Sequence, residues 1–131
     1  MNEKFYVSLE AARLLKEKGY DRECVAYYQH GTFYPYAINT QRELSITNKN
    51  ATPAYMEQYS APTKAEAIDW LESKGIRVEV TTVPRGKWRW SLYSYAEMYD
   101  SLRDYYTDYK TRLEAEEAAI INACKLLENG N

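Results

Sequence analysis

The sequence predicts an α+β fold, with a small, mainly antiparallel sheet and about three helices packed on one face. Three observations support this class. The spacing of apolar residues changes from helical to alternating at Gly75, two alternating runs flank a tight turn, and capping motifs precede two helical segments. Short connections favour antiparallel strands, in the order α-β-β-(β)-α-β-β-(β)-α. With 131 residues, we expect a single domain over 1–131.

The first helix is predicted from Leu9 to Lys18. Ser8 suits the N-cap, because its hydroxyl can accept a hydrogen bond from a backbone N–H of the first turn. Gly19 suits the left-handed residue that commonly follows a helix. The predicted buried side comprises Ala11, Leu14 and Leu15, with Val7 as a further candidate.

Two strands are predicted next, Cys24 to Gln29 and Thr32 to Ile38, with His30-Gly31 at the turn between them. Pro35 lies inside the second run. Proline has no N–H for a sheet ladder, so this strand is expected to lie at an edge or to be interrupted there.

Residues 39–60 have the weakest periodicity of apolar residues in the chain, so their secondary structure is the least well predicted. Glu43 to Thr47 is a candidate short strand, and Asn48 to Asn50 is a candidate turn. Pro53 to Tyr59 is compatible with a return strand or with an irregular loop.

The second helix is predicted to start after Thr63, which forms a capping-box motif with Glu66. Gly75 is suited to end it. Its apolar stripe comprises Ala67, Ile68, Trp70 and Leu71, and its polar side comprises Lys64, Asp69 and Glu72.

A hairpin is predicted from Ile76 to Tyr93, and its loop length follows from matching the two alternating runs. A two-residue loop would put the two apolar rows on opposite faces of the sheet. A three-residue loop, Pro84-Arg85-Gly86, pairs Val80 with Trp90 and Val78 with Leu92. We expect a type I turn followed by a left-handed Gly86.

The C-terminal part is predicted to contain a short helical turn or loop around Ala96 to Arg103 and an extended segment around Asp104 to Lys110. The last helix is predicted over Arg112 to Glu128, because Thr111 and Glu114 form a second capping-box motif. Gly130 is expected to end it. Its buried stripe is predicted to be Leu113, Ile120, Cys124 and Leu127, with Ile121 beside it.

Composition indicates a cytoplasmic protein. The net charge of −2 provides no overall attraction for nucleic acid or an anionic membrane. The N-terminus does not resemble a signal peptide, and no apolar run approaches the ~20 residues of a membrane span. Cys24 and Cys124 are the only cysteines and are expected to be reduced thiols.

No catalytic, metal or cofactor site is predicted. His30 is the only histidine, and an extended strand would hold it too far from Cys24 for a nucleophile–base pair. Two isolated cysteines and one histidine do not form a zinc-ligand set. The glycines lie mostly at helix ends and turns, without the pattern of a phosphate-binding loop.

Two surface features suggest an interaction. The chain contains fourteen tyrosines, which suit either a thin, half-exposed domain or a binding surface. Cations and aromatics also alternate along the second strand of the hairpin, giving a candidate interaction surface of Arg85, Lys87, Arg89 and Tyr93. This pattern suits single-stranded nucleic acid, but it equally describes a strand with buried tryptophans and a solvated basic side.

Three segments carry a resemblance to a known group: Ser8 to Gly19, Ala61 to Leu71 and Glu114 to Ile120. With these segments, the chain resembles a group of small uncharacterised proteins encoded in phages, prophages and mobile elements of gut bacteria. The resemblance implies such an origin. The group has no assigned activity, so it transfers no functional residue.

Three classes of function therefore stay open. The missing catalytic set and the excess of tyrosine favour a non-enzymatic protein-interaction or accessory module, with self-association through a sheet edge or an aromatic patch as a variant. The alternative is a nucleic-acid-binding accessory protein that uses the hairpin residues 85–93. A small enzyme with an unrecognised site is the third class.

Overall fold

The structure is a computed structural model that describes residues 3–36, 41–94, 101–104 and 107–127. The α+β class and the antiparallel strands are confirmed. The element order within these residues is also as predicted: α1 Leu9–Glu17, β1 Tyr27–Gln29, β2 Thr32–Tyr34, β3 Gln58–Ser60, α2 Lys64–Ser73, β4 Ile76–Val83, β5 Lys87–Ser94, β6 Ser101–Asp104 and α3 Arg112–Leu126.

The strands form two sheets rather than one. The first has the order β2-β1-β3 and the second the order β4-β5-β6, with every pairing antiparallel. Contacts within the chain divide it into two compact units, the first up to Thr63 and the second over Lys64–Leu127. The prediction of a single domain over 1–131 stays a prediction.

In the first unit, helix α1 begins at Leu9 as predicted and ends at Glu17, one residue earlier than predicted, with Lys18 as its C-cap. The Ser8 hydroxyl accepts a hydrogen bond from the backbone N–H of Ala11, and Gly19 has a left-handed φ of 96°. Helix α1 packs against β3. The buried side chains of this unit include Val7, Ala11, Ala12, Leu15, Tyr20 and Tyr28.

The predicted turn at His30-Gly31 is confirmed, and it is a two-residue hairpin loop. Gln29 pairs with Thr32, and both loop residues have positive φ, 50° at His30 and 82° at Gly31. Two positive φ angles are the requirement of a type I′ turn, whose twist matches that of the strands. Strand β2 is an edge strand and ends at Tyr34, as Pro35 indicated; residues 37 and 38 of the predicted strand lie outside the described residues.

The Asn50 side chain holds the segment before β3 in place through two hydrogen bonds. Its carbonyl oxygen accepts a hydrogen bond from the Ser60 backbone N–H, and its amide nitrogen donates to the Tyr20 carbonyl. Asn50 lies in a short 3-10 turn, Lys49–Ala51, and Thr47 bridges to Cys24. Of the two interpretations for the segment ending at Tyr59, the structure has a 3-10 turn followed by strand β3.

In the second unit, the hairpin register is confirmed in full. Val80 pairs with Trp90, Val78 pairs with Leu92, and Val83 faces Lys87 across the three-residue loop. The predicted turn type is wrong, because a type I turn requires a negative φ at Arg85 and the observed value is 73°. Gly86 follows with a φ of 70°. Two successive left-handed residues supply twist that matches the strands, as in primed hairpin turns.

Helices α2 and α3 contact each other and the hairpin, so the core of the second unit lies between them. Trp90 is 2% exposed and Leu92 is fully buried. Small side chains allow α3 to approach the sheet closely. The fully buried residues of α3 are Ala115, Ala119, Ile120, Ala123 and Cys124.

The chain before α3 differs from the prediction. Ser101 to Arg103, expected in a helical turn or loop, belong to strand β6, which pairs with β5. The reason is that β5 has a second edge whose backbone groups need partners, and the next segment of the chain turns back to supply them. Residues 96–100 of the predicted turn lie outside the described residues. The extended segment is confirmed at Tyr109, which bridges to Trp88.

The last helix starts as predicted, because the Thr111 hydroxyl accepts the backbone N–H of Glu114 at 3.1 Å. It ends at Leu126, since Leu127 has extended dihedral angles. Glu128 and Gly130 lie outside the described residues.

Candidate functional site

The predicted interaction surface lies on one face of the hairpin, with Arg85 in its loop. Lys87, Arg89 and Tyr93 alternate along β5 with the buried Trp90 and Leu92, so they point to the opposite face of the sheet. All three are half-buried, whereas Arg85 is exposed. The structure therefore brings the strand residues together on one side.

This face carries both signs of charge. The Arg89 guanidinium donates a hydrogen bond of 2.6 Å to the Asp108 carboxylate, and Arg77 forms an ion pair of 3.1 Å with Glu79. By the hairpin register, Arg77 and Glu79 share the face of Tyr93 and Arg89. Phosphate binding by Arg89 would compete with Asp108, so this face is a weaker electrostatic site than the sequence indicates.

The interpretation of the tryptophans as core residues is confirmed for Trp90. Its indole nitrogen lies 3.5 Å from the Tyr109 hydroxyl within the part-buried core. Trp88 is half-buried, and the Arg112 guanidinium lies 5.5 Å from its ring centroid. Both tryptophan rings lie on the face opposite to Arg89. Of the four residues predicted to form the interaction surface, Tyr93 is therefore the one that provides an aromatic ring beside the cations.

A second candidate surface was not anticipated from the sequence. In the first sheet, Tyr27 and Gln29 of β1 point to the same face, together with the residues that pair with them on β2 and β3. We call this surface the Tyr27 face. It comprises Tyr27, Gln29, Thr32, Tyr34, Gln58 and Ser60. Helix α1 lies on the other face, where Arg13 and Lys16 are 5.7 and 5.1 Å from the ring centroid of Tyr59.

The Tyr27 face has a stacked pair of rings at its centre. The Tyr27 and Tyr34 ring centroids are 5.2 Å apart with an interplanar angle of 16°, and the Lys49 ammonium lies 5.2 Å from the Tyr27 centroid. Ser60 at one end is fully buried under the turn of Lys49, whose backbone N–H donates to the Ser60 hydroxyl. At the other end Tyr34 is 41% exposed and Thr32 is exposed. The open part of the face therefore presents aromatic, hydroxyl and amide groups.

The described tyrosines divide between structural and surface roles. Tyr20 and Tyr28 are buried, whereas Tyr34, Tyr36 and Tyr55 are exposed, Tyr55 by 81%. Among the described residues, every exposed large apolar side chain except Leu126 lies in the first unit. The turn predicted at His30-Gly31 was the available indication, because a two-residue loop there places Tyr34 directly opposite Tyr27.

His30 is an exposed turn residue, as predicted. Its Nδ1 lies 3.0 Å from the Glu57 carboxylate, and both residues have positive φ. Cys24 and Cys124 are buried and are not joined in a disulfide, and the Cys24 sulfur lies 3.8 Å from the Tyr20 hydroxyl. Within the described ranges, no group of three or more histidine, cysteine or acidic residues is arranged to hold a metal ion.

The environment of Lys64 differs from the prediction. The helical spacing assigned it to the polar side of α2, but it is 7% exposed. Its ammonium lies 3.9 Å from the Glu117 carboxylate of α3. Burial lowers the pKa of Lys64, and the charges of Glu117, Glu116 and Glu114 oppose that shift.

Comparison with known proteins adds no assignment. No protein-family model matches the chain, and neither the curated proteins nor the solved structures gave a match. None of the helices within the described residues is both long and apolar enough to cross a membrane.

Proposed function

We propose that this chain is a non-enzymatic protein-interaction module and that its binding surface is the open part of the Tyr27 face. The observation that carries the proposal is the stacked pair of Tyr27 and Tyr34, which lies on the sheet face opposite α1. Within this pair, the Tyr34 side is 41% exposed. Tyrosine provides a large contact area while losing little conformational freedom, and it is enriched at binding hot spots.

The chemistry of this face favours a protein over a nucleic acid. Its six residues carry no formal charge, and Lys49 is the cation placed over it. Binding to a phosphate backbone depends on several cations, whereas hydroxyl and amide groups beside aromatic rings suit the mixed polar and apolar surface of a protein. The expected partner is therefore a protein surface rich in backbone and hydroxyl groups.

The strands that carry this face are three residues long, so its area is limited. Stable complexes bury about 800 Å² per partner. We expect a transient complex, or one that also includes neighbouring exposed aromatic residues of the same unit such as Tyr36.

Affinity capture with matched variants tests the proposal. Wild-type protein and the variants Tyr34→Ala, Tyr34→Phe and Arg85→Ala are immobilised and exposed to a lysate of the organism that encodes the chain. A partner should be retained by the wild type, Tyr34→Phe and Arg85→Ala, but not by Tyr34→Ala. With the purified partner, Tyr34→Ala should raise Kd about ten-fold or more, as expected for a hot-spot residue. A partner retained equally by Tyr34→Ala would contradict the proposal.

Nucleic-acid binding is the alternative, and the common face of Lys87, Arg89 and Tyr93 favours it. Single-stranded oligonucleotides titrated at low salt test it by tyrosine and tryptophan fluorescence. Affinity should fall steeply with salt and should decrease in the double variant Arg85→Ala/Lys87→Ala. Lack of binding at low salt would rule it out.

The proposal includes a cytoplasmic location and an origin in a phage or mobile element. Cys24 and Cys124, which are not joined in a disulfide, support a reducing compartment. The resemblance of the helical segments supports the origin, and a genomic neighbourhood of chromosomal housekeeping genes would count against it.

A further inference from the structure

The outer edge of the second sheet is long and regular. Strand β4 is the terminal strand in the order β4-β5-β6, and its eight residues, Ile76–Val83, pair with β5 without a break in register. An edge strand presents a row of backbone donors and acceptors that can pair with another chain. The strand contains no proline, a residue that commonly protects such edges.

The bonding pattern on the other side of β5 identifies the backbone groups at this edge. Trp88 exchanges both backbone hydrogen bonds with Tyr109, at 2.9 and 2.8 Å, so its N–H and C=O point away from β4. Trp88 therefore forms a non-hydrogen-bonded pair with Thr82. Because the pattern alternates, the backbone groups that point outward belong to Ile76, Val78, Val80 and Thr82. Within the part of the chain that the structure describes, no backbone hydrogen bond reaches these groups.

The two valines in the middle of this edge are incompletely buried, whereas Ile76 at its start is 5% exposed. Val78 and Val80 are half-exposed, although their cross-strand neighbours Leu92 and Trp90 are at most 2% exposed. The apolar row of the hairpin therefore continues to the rim of the sheet, where a further strand would cover it.

The charges on the opposite side of β4 are self-complementary. Arg77 and Glu79 flank Val78 and lie on the same face. In an antiparallel pair of identical β4 strands with Val78 opposite itself, Arg77 lies opposite Glu79 of the partner subunit. Glu79 then lies opposite Arg77 of the partner subunit. This gives two reciprocal opposite-charge pairs at non-hydrogen-bonded positions, where side chains are closest.

We propose that β4 pairs with β4 of a second copy of this chain, which forms a continuous antiparallel sheet with its two-fold axis at Val78. In this register the outward groups of Val78 bond their symmetry equivalents, and those of Ile76 and Val80 bond each other. Charge selects the register. A two-fold axis at Glu79 would place two carboxylates directly opposite each other, and an axis at Val80 would place Glu79 opposite Thr81.

Charge reversal tests both the dimer and its register by sedimentation velocity from micromolar to millimolar concentration. Arg77→Glu and Glu79→Arg should each raise the dimer dissociation constant about ten-fold or more, because both pairs become repulsive. The double variant Arg77→Glu/Glu79→Arg should dimerise like the wild type. An equimolar mixture of the two single variants should form a heterodimer, since each supplies the charge that the other lacks.

Lys87→Glu, a charge reversal on the same face but on β5, is the control and should leave the dissociation constant unchanged. Circular dichroism establishes that each variant is folded. A wild type that stays monomeric at millimolar concentration overturns the proposal. Single variants that dimerise like the wild type, or that do not associate when mixed, overturn it as well.

Discussion

The Tyr28 hydroxyl donates a hydrogen bond of 2.8 Å to the backbone carbonyl of Val7, and both residues are buried. This bond joins the central strand of the first sheet to the segment that precedes α1. It also explains why a tyrosine occupies a core position. The ring contributes apolar area, and the hydroxyl satisfies a carbonyl group that has no access to water. Part of the tyrosine content of the chain is therefore structural.

Replacing Tyr28 by phenylalanine should destabilise the protein. The substitution keeps the ring but removes the donor to the Val7 carbonyl, with an expected loss of about 1–2 kcal/mol in the free energy of unfolding. Urea unfolding followed by circular dichroism measures it. Tyr34→Phe is the control, because Tyr34 is exposed and should change stability by less than about 0.5 kcal/mol. Equal losses in the two variants would contradict the role of this hydrogen bond.

Arg85→Gly should stabilise the hairpin. Arg85 has a φ of 73°, which costs a side-chain-bearing residue about 1–2 kcal/mol and costs glycine little. The greater conformational freedom of glycine in the unfolded chain offsets part of this benefit. The free energy of unfolding should therefore increase by about 0.5–1 kcal/mol. Lys87→Gly is the matched control with the opposite expected sign, because Lys87 has an ordinary φ of −95°. Thermal unfolding that shows destabilisation by Arg85→Gly would refute the prediction.

Asn50→Ala should destabilise the first unit by about 2 kcal/mol, because it leaves the Tyr20 carbonyl and the Ser60 N–H without their side-chain partner. Asn122→Ala is the comparison. The Asn122 amide bonds the Ala118 carbonyl of its own helix, and alanine favours a helix, so little or no loss is expected. Denaturant unfolding measures both. Asn50 also heads an Asn-Ala-Thr glycosylation motif, and its use within the fold opposes modification of the folded chain.

Lys64 should make stability depend on alkaline pH. Burial lowers the pKa of Lys64, so the folded state releases this proton at a lower pH than the unfolded state does. Stability rises with pH where the unfolded state binds more protons. The contribution therefore increases between the lowered pKa and the ordinary value of 10.5, and it is constant below both.

The variant Lys64→Met tests this dependence. The difference in unfolding free energy, wild type minus variant, should rise as the pH is raised from neutrality towards 10. Ionisation of the tyrosines affects both proteins and cancels in the difference. A difference that is flat or falls with pH would show that Lys64 is not held in a desolvated environment.

The two units provide separate probes of whether the chain is one cooperative domain, as its length predicts. All three tryptophans lie in the second unit, and Cys24 lies in the first. In a Cys124→Ala variant, tryptophan fluorescence and Cys24 thiol labelling should give the same urea midpoint if the chain unfolds in one step. Two separate midpoints would establish two domains.

The elements that the sequence predicted well are those defined by near neighbours. Ser8 and Thr111 mark helix starts because each cap bonds a residue three positions along the chain. The hairpin register followed from the alternation of Val78 and Val80 with their polar neighbours and from a loop of fixed length. The second candidate surface was missed, although the predicted turn at His30-Gly31 already places Tyr34 opposite Tyr27. What the sequence did not specify is the pairing of β3 with β1, which completes this face.

By itself, the sequence determined the starts of the helices, most of the order of helices and strands, and the pairing of β4 with β5, since each depends on interactions within a few residues or across one short turn. Only the tertiary structure decided the division of the strands into two sheets, the burial of Lys64 and the strand at Ser101 to Asp104. These features depend on which other segments of the chain supply backbone partners and cover a side chain. Periodicity along the chain carries no information about either.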